Sequence, residues 1–158
     1  MSTKCVVYFS ASGVTAEKAL LLAKVAPGNA YEIKPVKPYT DADVNWRNPL
    51  SRCNREKIKN SKPEIETPEL ELNRCEVLFL GFPIWYYCEP LVVDGFLDAY
   101  AKELTDTKVV LFATSGGSSF GKTVEKMKAK YPSINFIEGT VMNGNYTEEE
   151  MKNFADKY

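Results

Sequence analysis

The sequence predicts an α/β fold, a single doubly wound domain built on a five-stranded parallel sheet. Short, continuous apolar runs alternate along the chain with segments of helical periodicity, which is the pattern of repeated strand–helix–strand units. These runs are apolar at successive positions rather than at every second one, so we expect helices to cover both faces of the sheet. The length of 158 residues fits one domain, and we assign the whole chain, residues 1–158, to it.

The first half of the chain is expected to form two strands with a helix between them. The apolar run at residues 5–9 predicts a buried strand, and a helix follows from Val14 to Ala26, before a Pro-Gly stop. Residues 30–36 alternate between polar and apolar side chains and contain a proline, which is typical of an edge strand. The stripe of the helix that faces the core is expected to consist of Ala16, Ala19, Leu20 and Ala23.

The rest of the chain supplies three further strands and four helices. Residues 37–75 are rich in proline, asparagine and charge, and only one helix is predicted there, near residues 51–59. Buried strands are predicted over residues 77–82, 109–113 and 134–142. The helices between and after them are predicted from Pro90 to about Leu104, over about 121–131, and from Thr147, where Thr147–Glu150 spell a capping box.

The composition excludes several classes of function. The chain has no histidine, so it can hold neither a Ser-His-Asp triad nor an imidazole metal ligand. Its cysteines, Cys5, Cys53, Cys75 and Cys88, form no C-x-x-C pair, and no metal site is predicted. We expect four free, chemically idle thiols in a reducing cytosol.

Charge and hydropathy suggest a small cytoplasmic protein. The N-terminal apolar run is too short for a secretory signal, and no run is long enough to span a membrane. The net charge is −1, and neither half of the chain has the strongly basic face of a nucleic-acid groove. We therefore expect a cytoplasmic monomer that binds neither nucleic acid nor membrane.

Ligands of open α/β sheets bind beyond the carboxyl ends of the strands. After the first strand, three hydroxyls and a glycine (Ser10, Ser12, Gly13, Thr15) lead directly into a helix. Free backbone N–H groups and the positive end of a helix dipole favour an anion, so this loop is a candidate phosphate cradle. The alternative is a simple helix cap at Ser12.

A second loop follows the strand over residues 77–82 and carries three consecutive aromatic residues, at positions 85–87. Such a loop suits a flat aromatic ligand, because stacked rings gain about 0.5–1.5 kcal/mol beyond their area burial. A protein contact patch is the alternative. Glu89, at the end of the loop, is expected to be a solvated acid unless the loop folds it inward.

The amino-acid sequence of a third loop, Thr114–Thr123, matches the patterns of two motifs. Residues 117–121 fit G-x-S-x-G, but no histidine is present to activate the serine. Residues 116–123 fit the phosphate-binding G-x-x-x-x-G-K-T pattern. That pattern also needs an Asp at a strand end to hold Mg²⁺, and none is found, so we do not expect nucleoside triphosphate binding.

Taken together, the three loops resemble those of the flavodoxin family over essentially the whole chain. The matching pieces are YFSASGVT at 8–15, LGFPIWY at 80–86 and TSGG at 114–117. The resemblance implies strand order 2-1-3-4-5, non-covalently bound FMN and no catalytic residues. It implies that the phosphate is held by Ser10, Ser12, Gly13, Val14 and Thr15. It also implies that the isoalloxazine ring lies between Pro83, Ile84, Trp85 and Tyr86 on one side and Thr114, Ser115, Gly116 and Gly117 on the other.

The function that the resemblance implies is low-potential, one-electron transport between reductases and oxidases. The alternatives are a flavodoxin-fold NAD(P)H-dependent FMN or quinone reductase and a nucleotide-binding module. One departure from the family is the basic segment at residues 37–62, which leaves the second strand at the cofactor edge of the sheet. It is interpreted as a solvated loop, as a lid that uses Trp46, or as a docking site for an acidic partner.

Overall fold

A five-stranded parallel sheet forms the centre of the molecule. The computed structural model describes residues 3–26, 28–86, 88–115 and 119–158. The strands are β1 (Lys4–Tyr8), β2 (Ala30–Glu32), β3 (Val77–Pro83), β4 (Lys108–Thr114) and β5 (Asn135–Val141). All neighbours pair in parallel, in the order β2-β1-β3-β4-β5. The predicted fold class and strand order are confirmed.

Helices cover both faces of the sheet. They are α1 (Val14–Val25), α2 (Arg52–Lys59), α3 (Leu91–Tyr100), α4 (Thr123–Lys130) and α5 (Glu148–Ala155). Short 3₁₀ helices at Leu72–Arg74 and Ala101–Leu104 complete the connections, the second continuing directly from α3. The capping box at the start of α5 is formed as predicted, between Thr147 and Glu150.

The two helix layers build two separate halves of the core. Alternate residues of β3 point to opposite faces, so Phe79 packs in the layer of α1 and α5, whereas Leu78 and Leu80 pack in the layer of α3 and α4. The register places Gly81 of β3 beside Phe112 of β4. A Cβ atom on Gly81 would lie 2.2 Å from the Phe112 ring, so only glycine allows this strand pair to close.

Two details of the first half differ from the sequence-based expectation. Leu20 of α1 is 56% exposed, and Leu22 faces the core instead. The predicted edge strand over 30–36 ends at Glu32, because the chain then pairs with a later segment. The amide of Glu66 donates to the carbonyl of Lys34 (2.8 Å), and the amide of Val36 donates to the carbonyl of Glu64 (2.9 Å).

The prediction of four free thiols is wrong. Cys5 and Cys75 form a disulfide, with Cα atoms 6.1 Å apart, whereas Cys53 and Cys88 are free. Cys5 lies in β1 and Cys75 precedes β3, and β1 pairs with β3, which brings together two residues separated by 70 positions. Disulfides are rare in a reducing cytosol, so the cytoplasmic location stays a prediction. Within the described ranges, no helix is both long and apolar enough to cross a membrane.

Candidate functional site

The carboxyl ends of β1, β3 and β4 bring the three predicted loops together. The hydroxyls of Thr15 and Thr114 share a buried hydrogen bond of 2.7 Å, and the amide of Ile84 donates to the carbonyl of Thr114 at 3.0 Å. Between the loops lies a cavity of about 320 Å³. Its walls include Ser12, Val14, Pro83, Ile84, Trp85, Thr114 and Ser115, together with Met142, Asn143 and Gly144 after β5.

The first loop forms an anion cradle at the start of α1. Gly13 is the N-cap residue and adopts a left-handed conformation (φ 92°), which glycine tolerates without strain. The hydroxyl oxygen of Ser10 accepts hydrogen bonds from the amides of Gly13 and Ala16, both at 3.1 Å. Ser10, rather than Ser12, therefore caps the helix, and Ser12 is exposed at the cavity.

The amides that follow are open to a ligand. In the described part of the chain, the N–H groups of Ser12, Val14 and Thr15 have no acceptor. No acidic side chain lies between residues 10 and 15. Three amide donors at the positive end of a twelve-residue helix can hold an anion without a basic side chain.

The second loop is a tight turn that carries Trp85 on the cavity wall. Trp85 and Cys88 exchange backbone hydrogen bonds of 2.9 and 3.0 Å, and Tyr86 between them has a positive φ of 53°. The Trp85 ring packs edge-on against Phe9 at 5.6 Å and against Tyr39 at 5.5 Å. These contacts fix Trp85 in place, while the third aromatic residue of the loop, Tyr87, lies outside the described residues.

Tyr86 points away from the cavity, toward α2. Its hydroxyl donates to the Cys53 thiol at 3.3 Å and to the side-chain oxygen of Asn54. Burial, followed by the hydrogen bond to Cys53, raises the pKa of Tyr86 above its usual value. Tyr86 therefore attaches the loop to residues 37–62, and in this structure it does not line the cavity with Trp85.

The third loop is only partly described. Thr114 is buried, and the amide of Ser115 donates to Asn143 Oδ1 at 3.2 Å. Gly116 and Gly117, two of the predicted site residues, lie outside the described residues. Asn143 was not predicted, although it directly follows the fifth strand and the same strand-end argument applies to it.

Part of the phosphate-loop motif at 116–123 also lies outside the described residues. Of its described residues, Lys122 is exposed and Thr123 is fully buried at the start of α4. No described group of three or more Asp, Glu or Cys side chains is placed to hold a metal ion. The lack of nucleoside triphosphate binding stays a prediction.

A larger cavity, of about 380 Å³, lies on the other side of residues 9–11. Glu32, Glu66 and Lys34 line it, so its wall carries a net negative charge and suits an anionic ligand less well. The smaller cavity of about 320 Å³ contains the open amides and is the better candidate for a phosphate-bearing ligand.

Glu89 is buried, contrary to the expectation of a solvated acid. Lys130 Nζ lies 2.7 Å from Glu89 Oε1 and 3.1 Å from Asp94 Oδ2. Burial and the charge of Glu89 raise the pKa of Asp94 to about 7. Burial by itself lowers the pKa of Lys130. The hydrogen bond to Glu89 and the negative charges of both carboxylates outweigh this effect, so the pKa of Lys130 is raised. The two buried carboxylates and the partly exposed Lys130 ammonium form a charged cluster directly behind the aromatic loop.

The segment at residues 37–62 folds against the site through Tyr39 and α2. Arg52 stacks over the Tyr39 ring at 3.9 Å and donates to Glu56 at 2.9 Å. Tyr39 in turn contacts Trp85. Trp46 is 66% exposed, so the aromatic residue that this segment adds to the site is Tyr39 rather than Trp46.

Comparisons with known proteins agree on one family. A family model described as flavodoxin matches residues 3–158. A protein from Bacteroides eggerthii described as a flavoprotein is 35% identical, with a TM-score of 0.90 over 99% of this chain and 98% of its own. A protein from Bacteroides uniformis with the same description is 33% identical, with a TM-score of 0.88 over 98% of both chains.

A more distant structure contains a ligand. A flavoprotein from Lactobacillus acidophilus NCFM, in complex with FMN, is 22% identical, with a TM-score of 0.72 over 89% of this chain and 92% of its own. At 22% identity, this similarity shows that the two proteins share a fold. No curated protein matches the chain.

Proposed function

The chain belongs to the flavodoxin family, and we propose that it is an FMN-dependent one-electron carrier that passes electrons from a reductase to an acceptor protein. The observation that supports this most strongly is the set of open amides at Ser12, Val14 and Thr15, beside a cavity with Trp85 on its wall. A phosphate and a flat aromatic ring are the two ends of FMN, joined by a ribityl chain, and the site offers a matching surface for each end.

The described residues fit this cofactor. The cavity of about 320 Å³ lies within the usual range of ligand sites, about 300–1,000 Å³. The cradle lacks carboxylates, and its N–H groups are free to receive phosphate oxygens. FMN is the family's cofactor, and when bound it would supply the one-electron redox chemistry.

The protein's own residues would bind and shield the cofactor. The amides of Ser12, Val14 and Thr15 would hold the phosphate, and the Thr15–Thr114 hydrogen bond keeps that cradle in register with the third loop. Trp85, fixed between Phe9 and Tyr39, would exclude water from one wall. The Glu89–Asp94–Lys130 cluster can hold one proton close to pH 7 behind that wall.

A carrier is favoured over a reductase by the space around Trp85. The cavity on its other side measures only about 60 Å³, which is room for about two water molecules. A nicotinamide or quinone would need a second site of ligand size, and the cavity of about 380 Å³ beyond Phe9 and Tyr39 carries the Glu32 and Glu66 carboxylates, which suit an anionic nicotinamide dinucleotide poorly.

Anaerobic stopped-flow mixing separates the two activities. The FMN-loaded protein is mixed with NADPH alone, and then with NADPH plus a catalytic amount of a flavodoxin reductase. A carrier should be bleached quickly only in the second mixture, because electrons must arrive through the reductase. Fast, multiple turnovers with NADPH and a quinone in the absence of reductase would contradict the carrier and assign a reductase activity instead.

A further inference from the structure

The outer face of α2 is basic and apolar. Arg55, Ile58 and Lys59 are three and four residues apart, so they share one side of the helix. Ile58 is 80% exposed. Arg55 and Lys59 make no side-chain hydrogen bond or ion pair with any described residue, which leaves both charges available to a partner.

The turn before α2 extends this face. Asn54 Nδ2 donates to the carbonyl oxygens of Trp46 (2.9 Å) and Asn48 (2.7 Å), which holds the turn against the helix. Trp46 is 66% exposed and Leu50 is 78% exposed, and the Arg47 guanidinium lies 5.3 Å from the Trp46 ring. We call the set the basic-apolar face: Trp46, Arg47, Leu50, Arg55, Ile58 and Lys59.

The charge of this region opposes that of the whole molecule. Residues 37–62 contain seven basic and three acidic side chains, whereas the whole chain has a net charge of −1. Two of the three acids, Asp43 and Glu56, are paired with Arg52 on the inner side of the segment. The outward surface is therefore more positive than the count suggests, and it is complementary to an acidic partner.

The helix that carries the basic-apolar face is attached to the site by its inner side. Lys57 Nζ donates to Cys88 Sγ at 3.3 Å, and Tyr86 donates to the Cys53 thiol at the same distance. These two bonds attach α2 to the loop that carries Trp85. A protein seated on the outer side of α2 would therefore be separated from that loop by the width of the helix, about 10 Å.

We propose that the basic-apolar face docks an acidic partner protein that exchanges electrons with the bound flavin. Trp and Arg are among the residue types that contribute most binding energy to protein–protein interfaces. Clusters of exposed apolar side chains also mark sites of protein contact. Opposite charge would steer the partner to this face and raise the association rate. The inference rests on the proposed carrier function.

The experiment uses two haem proteins of opposite charge, the acidic soluble domain of cytochrome b5 and the basic cytochrome c. The FMN-loaded protein is reduced anaerobically, desalted and mixed with each ferric haem protein in a stopped-flow instrument. In each event one electron leaves the reduced flavin and converts ferric to ferrous haem. At low ionic strength we expect transfer to the acidic acceptor to be about tenfold faster or more, and to slow steeply with salt.

Charge reversal tests the face itself. Arg55→Glu/Lys59→Glu should slow transfer to the acidic acceptor at least tenfold and speed transfer to cytochrome c. Lys102→Glu/Lys108→Glu is the matched control, because it changes net charge equally on exposed residues near the amino end of β4, away from the site. Ile58→Asp should also slow transfer to the acidic acceptor, because it removes an apolar contact and adds a negative charge to the face.

Each outcome has a distinct meaning. If the two double variants behave alike, or if the acidic acceptor reacts no faster than cytochrome c, the docking face is wrong while the carrier function stands. If the loaded wild-type protein reduces neither acceptor, the carrier function itself fails. A dimer, or binding to anionic phospholipid vesicles, that Ile58→Asp abolishes would assign the face to another occupant and overturn the proposal.

Discussion

The side chains of Thr15 and Thr114, 99 residues apart in sequence, share a buried hydrogen bond of 2.7 Å at the carboxyl edge of the sheet. Thr15 lies in the first turn of α1 and Thr114 ends β4, so this bond joins the phosphate cradle to the third loop. The bond helps to hold the loop at residues 10–15 in a fixed position relative to the loop that begins at Thr114.

Thr15→Val should therefore weaken FMN binding about tenfold, with a smaller effect on riboflavin. The substitution keeps the shape of the side chain but leaves the Thr114 hydroxyl buried without its partner, which costs about 1–3 kcal/mol. Fluorescence titration of the apoprotein with each flavin measures both affinities. Thr15→Ser retains the hydroxyl and serves as the control, and an equal loss in both variants would argue against the hydrogen bond.

Ser10 and Ser12 should respond differently to the same substitution. Ser10 caps α1 through two amides, so Ser10→Ala should lower the free energy of unfolding of the apoprotein by about 1 kcal/mol. Ser12 is exposed at the cavity, so Ser12→Ala should leave apoprotein stability unchanged and weaken FMN alone. Urea denaturation and FMN titration of both variants check this pair. If Ser12→Ala lowered the stability of the apoprotein and Ser10→Ala did not, Ser12 rather than Ser10 would be the helix cap.

Much of this arrangement could be predicted from the sequence because it depends on local pattern. Continuous apolar runs identified the buried strands, and the strand-end argument led to the loops at 10–15 and 83–86. The contribution of Tyr39 comes from a tertiary contact with Trp85, which periodicity does not report, whereas Asn143 follows the fifth strand and the strand-end argument extends to it. Leu20, Leu21 and Leu22 are consecutive in α1, so apolar side chains lie on neighbouring stripes and periodicity alone does not choose the leucine that faces the core.

The buried Asp94 should make stability depend on pH. Its folded pKa of about 7 lies above the ordinary value of 3.8. The stability that it contributes is therefore fully present below about pH 3.8 and is lost as the pH rises through 7. Asp94→Asn should flatten the decline of the free energy of unfolding over this interval. Denaturation across pH 4–8 measures it, with Asp156→Asn, an exposed carboxylate, as the control. An unchanged slope in Asp94→Asn would contradict the raised pKa.

The disulfide should be an important source of stability. Closing a loop of 70 residues stabilises the fold by about 4 kcal/mol in the chain-entropy model. Cys5→Ser/Cys75→Ser should lose most of this amount in urea denaturation, whereas Cys88→Ser should change little. Alkylation of the urea-unfolded protein without reductant should label two of the four cysteines, Cys53 and Cys88, as measured by mass spectrometry. Labelling of all four in freshly isolated protein would mean that the bond is absent in the cell.

Titration of the apoprotein with FMN, riboflavin and FAD tests the cofactor assignment most directly. The open amides at the start of α1 are placed for one terminal phosphate, and the cavity beside them has Trp85 on its wall. We predict one equivalent of FMN with the highest affinity, riboflavin at least tenfold weaker for lack of the phosphate, and no comparable binding of FAD. Riboflavin bound as tightly as FMN, or FAD preferred over both, would contradict the phosphate cradle and with it the proposed function.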